Sequence, residues 1–195
     1  MRLRPVGWDA VLVELGSVAE VRAAYERLAA ARLPGVVELV PAARTVLVVG
    51  DVPDLEERLA GLRAGAGPVG PEVDIPVTYD GPDLAAVARR AGLTEDEVVR
   101  RHAGAAYTVA FCGFAPGFGY LTGLPAELQV PRRDSPRTAV AAGAVGIAGE
   151  FTGVYPRRSP GGWQLLGRTD AVLWDADRDP PALLAPGTRV RFRPA

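Results

Sequence analysis

The spacing of hydrophobic and polar positions changes character along the chain. Ala10–Leu15 is an apolar run of strand length, and Ser17 with Glu20 three residues on makes a capping box that opens a helix over Val18–Arg32. Val36–Val40 and Thr45–Val49 predict two strands around a Pro41–Ala43 turn, and Leu55–Leu62 predicts a second, short helix. This β-α-β-β-α order predicts a small α+β layer with its helices on one face of the sheet. The stretch Arg63–Pro71 (RAGAGPVGP) breaks both periods, so a domain boundary is placed there, giving domains 1–68 and 69–195.

Beyond the boundary Val73–Tyr79 predicts a strand, followed by helices over Pro82–Ala91 and Thr94–His102 with Gly92 between them. From Ala105 onward the apolar runs are short and cut by glycine and proline: Tyr107–Cys112, Ala144–Ala148, Gln164–Arg168, Val172–Trp174 and Arg189–Phe192. Such a pattern predicts a β-barrel or sandwich. The helix–glycine–helix over Leu84–Val99 is similar to a DNA-reading unit. It lies between strands, however, and Asp96 and Glu97 would meet phosphates with the wrong sign. It is expected to be a helical insert packed on the barrel. The fold class is therefore α+β, mainly β.

Charge and composition mostly exclude. A net charge of −1 gives no pull toward nucleic acid or an anionic membrane. No apolar run approaches the ~20 residues of a membrane helix, and Met1–Val13 lacks the apolar core of a signal peptide. Cys112 is the only cysteine, which fits a reducing cytoplasm. All 22 basic residues are arginine, which removes a Schiff-base lysine and a Walker-type phosphate loop. With one histidine and one cysteine, no His/Cys zinc cluster is expected, and no G-x-S-x-G elbow is present. Chemistry must rest on arginine, carboxylates, hydroxyls, backbone amides and one imidazole, or be borrowed from a partner.

Three blocks carry candidate chemistry. In Gly113–Leu121 (GFAPGFGYL), Pro116 and Gly117 impose an irregular backbone, and Phe114, Phe118 and Tyr120 are expected to line a pocket or to plug their own loop. In Pro131–Arg137 (PRRDSPR), proline stiffens a loop whose Arg132 and Arg137 suit bidentate capture of a carboxylate or phosphate. In Ser159–Trp163 (SPGGW), Ser159, Gly161 and Gly162 either present backbone amides to an anion or form a tight turn that anchors Trp163, with Tyr155 and Arg168 flanking. His102 closes a helix whose C-terminus favours its protonated form, although a lone histidine is more often structural. Cys112, in an apolar strand, is expected to be inert packing.

These blocks, in order with Ile75-Pro76-Val77, Gly81-Pro82-Asp83-Leu84, Ala141–Gly149 and Gly167-Arg168-Thr169, resemble the family of the 5-oxoprolinase B subunit, also called allophanate hydrolase subunit 1 or KipI-like. The likeness covers roughly the last two-thirds of the chain. It implies a cyclophilin-like barrel after a small α/β domain. It also implies a complex with a homologous C subunit and a separate A subunit that converts 5-oxoproline to glutamate with ATP hydrolysis, this chain being inactive alone. ATP would be shared with those partners. A related domain pair forms the carboxyltransferase part of urea carboxylase, so an allophanate-type amide is the alternative substrate; inhibition of a sensor histidine kinase is the regulatory alternative. Carried over with the chemistry above, His102 is expected as acid/base or ligand donor, Arg132 and Arg137 as anion clamps, and the two glycine loops as walls of a shared pocket. Phe151 departs from a common glutamine and Thr188 from a common aspartate. A prolyl isomerase reading has only fold analogy behind it.

Overall fold

The structure, a computed structural model, describes residues 1–61 and 70–195. The chain divides into two compact units, residues 1–69 and 70–195. Most of the Arg63–Pro71 segment, and Leu62 at the end of the second helix, lie outside the described residues.

The first unit is a four-stranded antiparallel sheet, β1 (Arg2–Val6), β2 (Ala10–Glu14), β3 (Val36–Pro41) and β4 (Thr45–Gly50), in the order β1-β2-β4-β3. Helices α1 (Val18–Ala31) and α2 (Leu55–Gly61) complete it. Ser17 caps α1 by accepting from the Glu20 amide, and Glu20 reaches back to the Gly16 amide. Val21, Ala24 and Leu28, one face of α1, pack on Val13, Val46 and Val48 of the sheet. The order is thus β-β-α-β-β-α, correcting the expected β-α-β-β-α. Pro5 and two arginines mask the alternation of β1, and the proline is tolerated there because β1 is an edge.

The second unit carries a seven-stranded sheet of β5 (Glu72–Val77), β6 (Tyr107–Cys112), β7 (Gly119–Thr122), β9 (Ala144–Ala148), β10 (Phe151–Val154), β12 (Gln164–Arg168) and β13 (Arg189–Pro194), in the order β12-β9-β10-β7-β6-β13-β5. Thr78, just past β5, and Arg168 exchange backbone hydrogen bonds of 2.9 Å each way. That bridge joins the two ends of the sheet into a nearly closed barrel, which leaves little unpaired edge. A ribbon of β8 (Arg137–Val140) and β11 (Ser159–Gly161) is a separate two-stranded sheet. The barrel interior is filled by Ile75, Val77, Tyr107, Leu121, Val145, Ile147, Leu166 and Phe192. Helices α3 (Leu84–Ala91) and α4 (Glu95–Gly104) bury Leu84, Val87, Ala88 and Val98 against that same core, so the helix–glycine–helix is the packed insert expected.

Strands β6, β9 and β12 fall where the apolar runs place them. The expected strand Val172–Trp174 does not form; it is a loop with one isolated bridge, Trp174 to Ala182, flanked by Asp170 and Asp175. Strands β7, β8, β10 and β11 are hidden from the periodicity by their brevity and by Gly119, Arg137, Gly153 and Pro160 within them.

Candidate functional site

Phe118, Tyr155 and Trp163 belong to a second buried cluster with Val140 and Leu165, and Tyr120 packs against it. Their rings meet edge to face: Phe118 lies 5.3 Å from both Tyr155 and Trp163, and Tyr120 lies 5.6 Å from Trp163. Over this floor opens a hollow of about 70 Å³ lined by Phe114, Phe118, Tyr120, Arg132, Tyr155, Gly161, Gly162 and Trp163. Three blocks far apart in sequence thus converge. Gly161 is required there, because a Cβ would stand 2.3 Å from the Tyr155 hydroxyl.

Phe114 forms the outer lip. It is 55% exposed and held at φ 69°, a left-handed conformation rare for an aromatic residue. The turn that imposes it is closed by Ala115 N–H to the Gly113 carbonyl (2.8 Å) and Phe118 N–H to the Ala115 carbonyl (2.9 Å). Gly117 and Pro116 shape this turn without lining the hollow. Gly117 (φ 82°) is buried with Leu173 and Trp174 where its side chain would be, and Pro116 is exposed.

The Pro131–Arg137 loop supplies the cations, with two different fates. Arg132 lines the hollow. Arg133 and Arg137 turn to Asp83, donating to the same carboxylate oxygen at 3.0 and 2.8 Å. The second Asp83 oxygen accepts from the Leu165 amide at 2.7 Å. Burial works to raise the Asp83 pKa, but the Arg137 hydrogen bond, the Leu165 amide and the charges of Arg137 and Arg133 outweigh it and hold the carboxyl below its usual range. Arg137 is therefore a strut rather than the expected anion clamp, with its remaining contact a 3.5 Å approach to the Trp163 carbonyl. Asp83 and Arg133 are site residues that the sequence reading passes over. The signal is in the Gly81–Leu84 motif and the doubled arginine, but neither shows that residues fifty positions apart meet.

Three further expectations need correction. His102 is 0% exposed, inside the barrel rather than at the hollow. Its Nε2 lies 2.9 Å from Thr152 Oγ1, and that hydroxyl donates to the Gly146 carbonyl at 3.1 Å. With its one proton committed there, Thr152 must accept, so Nε2 carries hydrogen and Nδ1 accepts from the Tyr79 hydroxyl at 2.8 Å. Burial drives the His102 pKa down to about 3, the reverse of the shift expected from the helix terminus. A neutral, fully enclosed imidazole stacked 4.7 Å from Phe192 is a core fastener, with neither acid/base nor ligand contact. Arg168 closes the barrel through its backbone and sends its side chain outward to Asp80 at 2.9 Å, away from the hollow. The Ser159 hydroxyl donates to the Arg157 carbonyl, and Ser159 lies in the β11 ribbon. Cys112, expected as inert packing, is half-buried against the barrel core, and desolvation pushes its thiol pKa up to about 11.

The hollow's lining holds no histidine, carboxylate or thiol. Burial raises the pKa of both Tyr120 and Tyr155, so they remain neutral hydrogen-bonding groups beside the Arg132 cation. Such a site can orient a flat or apolar group and stabilise negative charge; it offers no base. Among the described residues no group of histidine, cysteine and carboxylates is placed to hold a metal, and no helix is long and apolar enough to cross a membrane.

The family model of the carboxyltransferase domain, subdomain C and D, matches residues 1–184. The 5-oxoprolinase B subunit of Escherichia coli O157:H7 is 47% identical over 173 residues, 83% of this chain and 79% of that protein. Its namesake from Bacillus subtilis is 45% identical over 142 residues, 71% of this chain but 59% of that protein. The crystal structure of TTHA0988 superposes at a TM-score of 0.80 with 38% identity, covering 100% of this chain and 40% of that one. A 63-residue stretch, 30% of this chain and 3% of the relative, is 43% identical to the urea amidolyase of Saccharomyces cerevisiae. The urea amidolyase of K. lactis shares the fold at a TM-score of 0.73 and 21% identity, over 99% of this chain and 15% of that one. The chain belongs to the carboxyltransferase domain family, subdomain C and D.

Proposed function

We propose that this chain is the B subunit of an ATP-dependent 5-oxoprolinase, working in the cytoplasm with A and C subunits and inactive alone. The observation that carries the reading is the hollow itself. At about 70 Å³ it is far smaller than the several hundred cubic ångströms of an ordinary ligand cleft, and it brings a cation and aromatic walls without a base. It supplies one wall of a site: Arg132 faces the substrate carboxylate or the charge that develops on the amide oxygen, and the aromatic floor excludes water. The remaining wall and the proton-transfer group belong to the homologous C subunit. The hollow offers one cation and no phosphate loop of its own, so ATP is shared with the partner subunits. Family kinship supports the substrate, through relatives named as the B subunit of 5-oxoprolinase at 45% and 47% identity.

The test is reconstitution with the A and C subunits, followed by ATP-dependent release of glutamate from 5-oxoproline. The full set is expected to turn over and this chain alone is not; rapid turnover by the isolated chain overturns the shared site. The same preparation given allophanate tests the second reading, which the urea amidolyase stretch favours. No observation on the molecule favours kinase inhibition.

A further inference from the structure

We propose that Asp83 is a positioning residue that sets the Pro131–Arg137 loop and so places the Arg132 guanidinium over the aromatic hollow. The inference rests on the reading of that hollow as the substrate-facing wall.

Asp83 stands at the start of α3, where an aspartate ordinarily caps its own helix by accepting from an amide of the first turn. It makes no such bond. Its carboxylate is turned away from the helix and is 3% exposed, with one oxygen on the Leu165 amide and the other on Arg133 and Arg137. The turn that carries it is latched to β12 by its backbone as well: Gly81 N–H donates to the Leu166 carbonyl at 3.0 Å and Asp83 N–H to the Leu165 carbonyl at 3.1 Å. The carboxylate therefore has a fixed address on the barrel.

The loop is tied to the same strand region. Arg133 N–H donates to the Gly162 carbonyl at 2.8 Å, and the Gln164 side chain donates to the Pro131 carbonyl at 3.2 Å. Arg132 sits between these two anchored neighbours. Of the three arginines, Asp83 takes two and leaves the third to the hollow. One carboxylate against two guanidiniums also leaves a surplus positive charge behind Arg132. Without Asp83 that surplus doubles, and two half-buried cations sharing one acceptor position repel each other. Asparagine cannot repair this, since its one oxygen cannot serve Leu165 and both arginines.

The experiment uses the complex reconstituted with the A and C subunits, together with amide hydrogen exchange on the full chain. Asp83→Asn is expected to raise KM for 5-oxoproline roughly tenfold, as loss of one well-placed charge-assisted contact does, with kcat changed far less. Arg132→Ala is expected to do the same, and the double variant to be no worse than either single. Exchange at the Arg133 and Leu165 amides should quicken in Asp83→Asn, while Ile147 and Thr152 in the barrel stay protected. Unchanged exchange at Arg133 overturns the proposal, and so do KM effects that multiply in the double variant. An Arg132→Ala variant with normal KM strikes down the reading of the hollow instead. If Asp83→Asn does not fold, Arg133→Gln leaves Asp83 paired with Arg137 and tests the same linkage. Its KM effect must vanish in the Arg132→Ala background, and persistence there overturns the proposal.

Discussion

Two buried polar clusters of the barrel unit are built on opposite principles. Around His102 every group is neutral and every proton has one destination: Tyr79 to Nδ1, Nε2 to Thr152, Thr152 to Gly146, with the Tyr107 hydroxyl closing on the His102 carbonyl at 2.8 Å. Around Asp83 one carboxylate faces two guanidiniums and charge is left over. The first is centred on the fully buried His102 with only Tyr79 partly exposed; the second lies at the edge, where Arg133 remains about a third exposed. A low-dielectric interior accepts a matched neutral chain and penalises an unbalanced one. The barrel therefore puts its single imidazole to structural use and keeps its charge at the rim, next to the loop that carries Arg132.

The largest effect expected from this contrast is on stability. His102→Ala leaves the Tyr79 hydroxyl without its acceptor and the Thr152 oxygen without its donor, and opens a cavity against Phe192, so roughly 3–5 kcal/mol should be lost. Asp83→Ala should cost less, roughly 2–4 kcal/mol, because the arginines it abandons reach solvent. Urea unfolding followed by near-ultraviolet circular dichroism compares them. A greater cost for Asp83→Ala would reverse the contrast.

Acid separates the clusters next. His102 is neutral when folded, with a pKa near 3, and ordinary when unfolded, near 6.5. Its contribution is complete above pH 6.5 and is withdrawn on acidification toward 3, at up to about 1.4 kcal/mol per pH unit. The Asp83 pKa is depressed when folded, so its contribution is present above the unfolded value of about 3.9 and fades only as pH falls further. Stability measured from pH 7 to 4 should slope in the parent and in Asp83→Asn, and flatten in His102→Gln. A slope that survives His102→Gln assigns the acid sensitivity elsewhere.

The same contrast explains how much of the molecule is legible in its sequence. Strands β6, β9 and β12 and the insert of α3 and α4 follow from local periodicity, because their apolar faces are buried whatever else the chain does. The convergence of Phe118, Arg132 and Trp163 is legible only as three glycine- and proline-stiffened blocks plus a resemblance. His102 misleads because a lone histidine at a helix end looks the same whether that end meets solvent or the barrel core. Arg137 misleads because its partner, Asp83, lies fifty-four residues upstream. Burial and pairing are long-range properties. No window of the chain contains them.

The smallest effect concerns the lip of the hollow and whether its strain is retained for the ring. Phe114 at φ 69° holds a conformation that costs an L residue about 1 kcal/mol or more and glycine almost nothing. It is more than half exposed, yet its ring stands edge to face on Phe118 at 5.3 Å and on Tyr155 at 6.2 Å. Phe114→Ala keeps the strain and loses the ring; Phe114→Gly loses both. The glycine variant should be the more stable of the two by about 1 kcal/mol, less the extra entropy glycine carries into the unfolded chain. In the reconstituted complex both should raise KM to the same degree, since neither offers a ring to the ligand. An alanine variant more stable than the glycine one, by glycine's entropic cost alone, would mean that the turn relaxes when the ring is gone. A KM effect confined to one of them would mean that the lip acts through the backbone, with the aromatic face only a bystander.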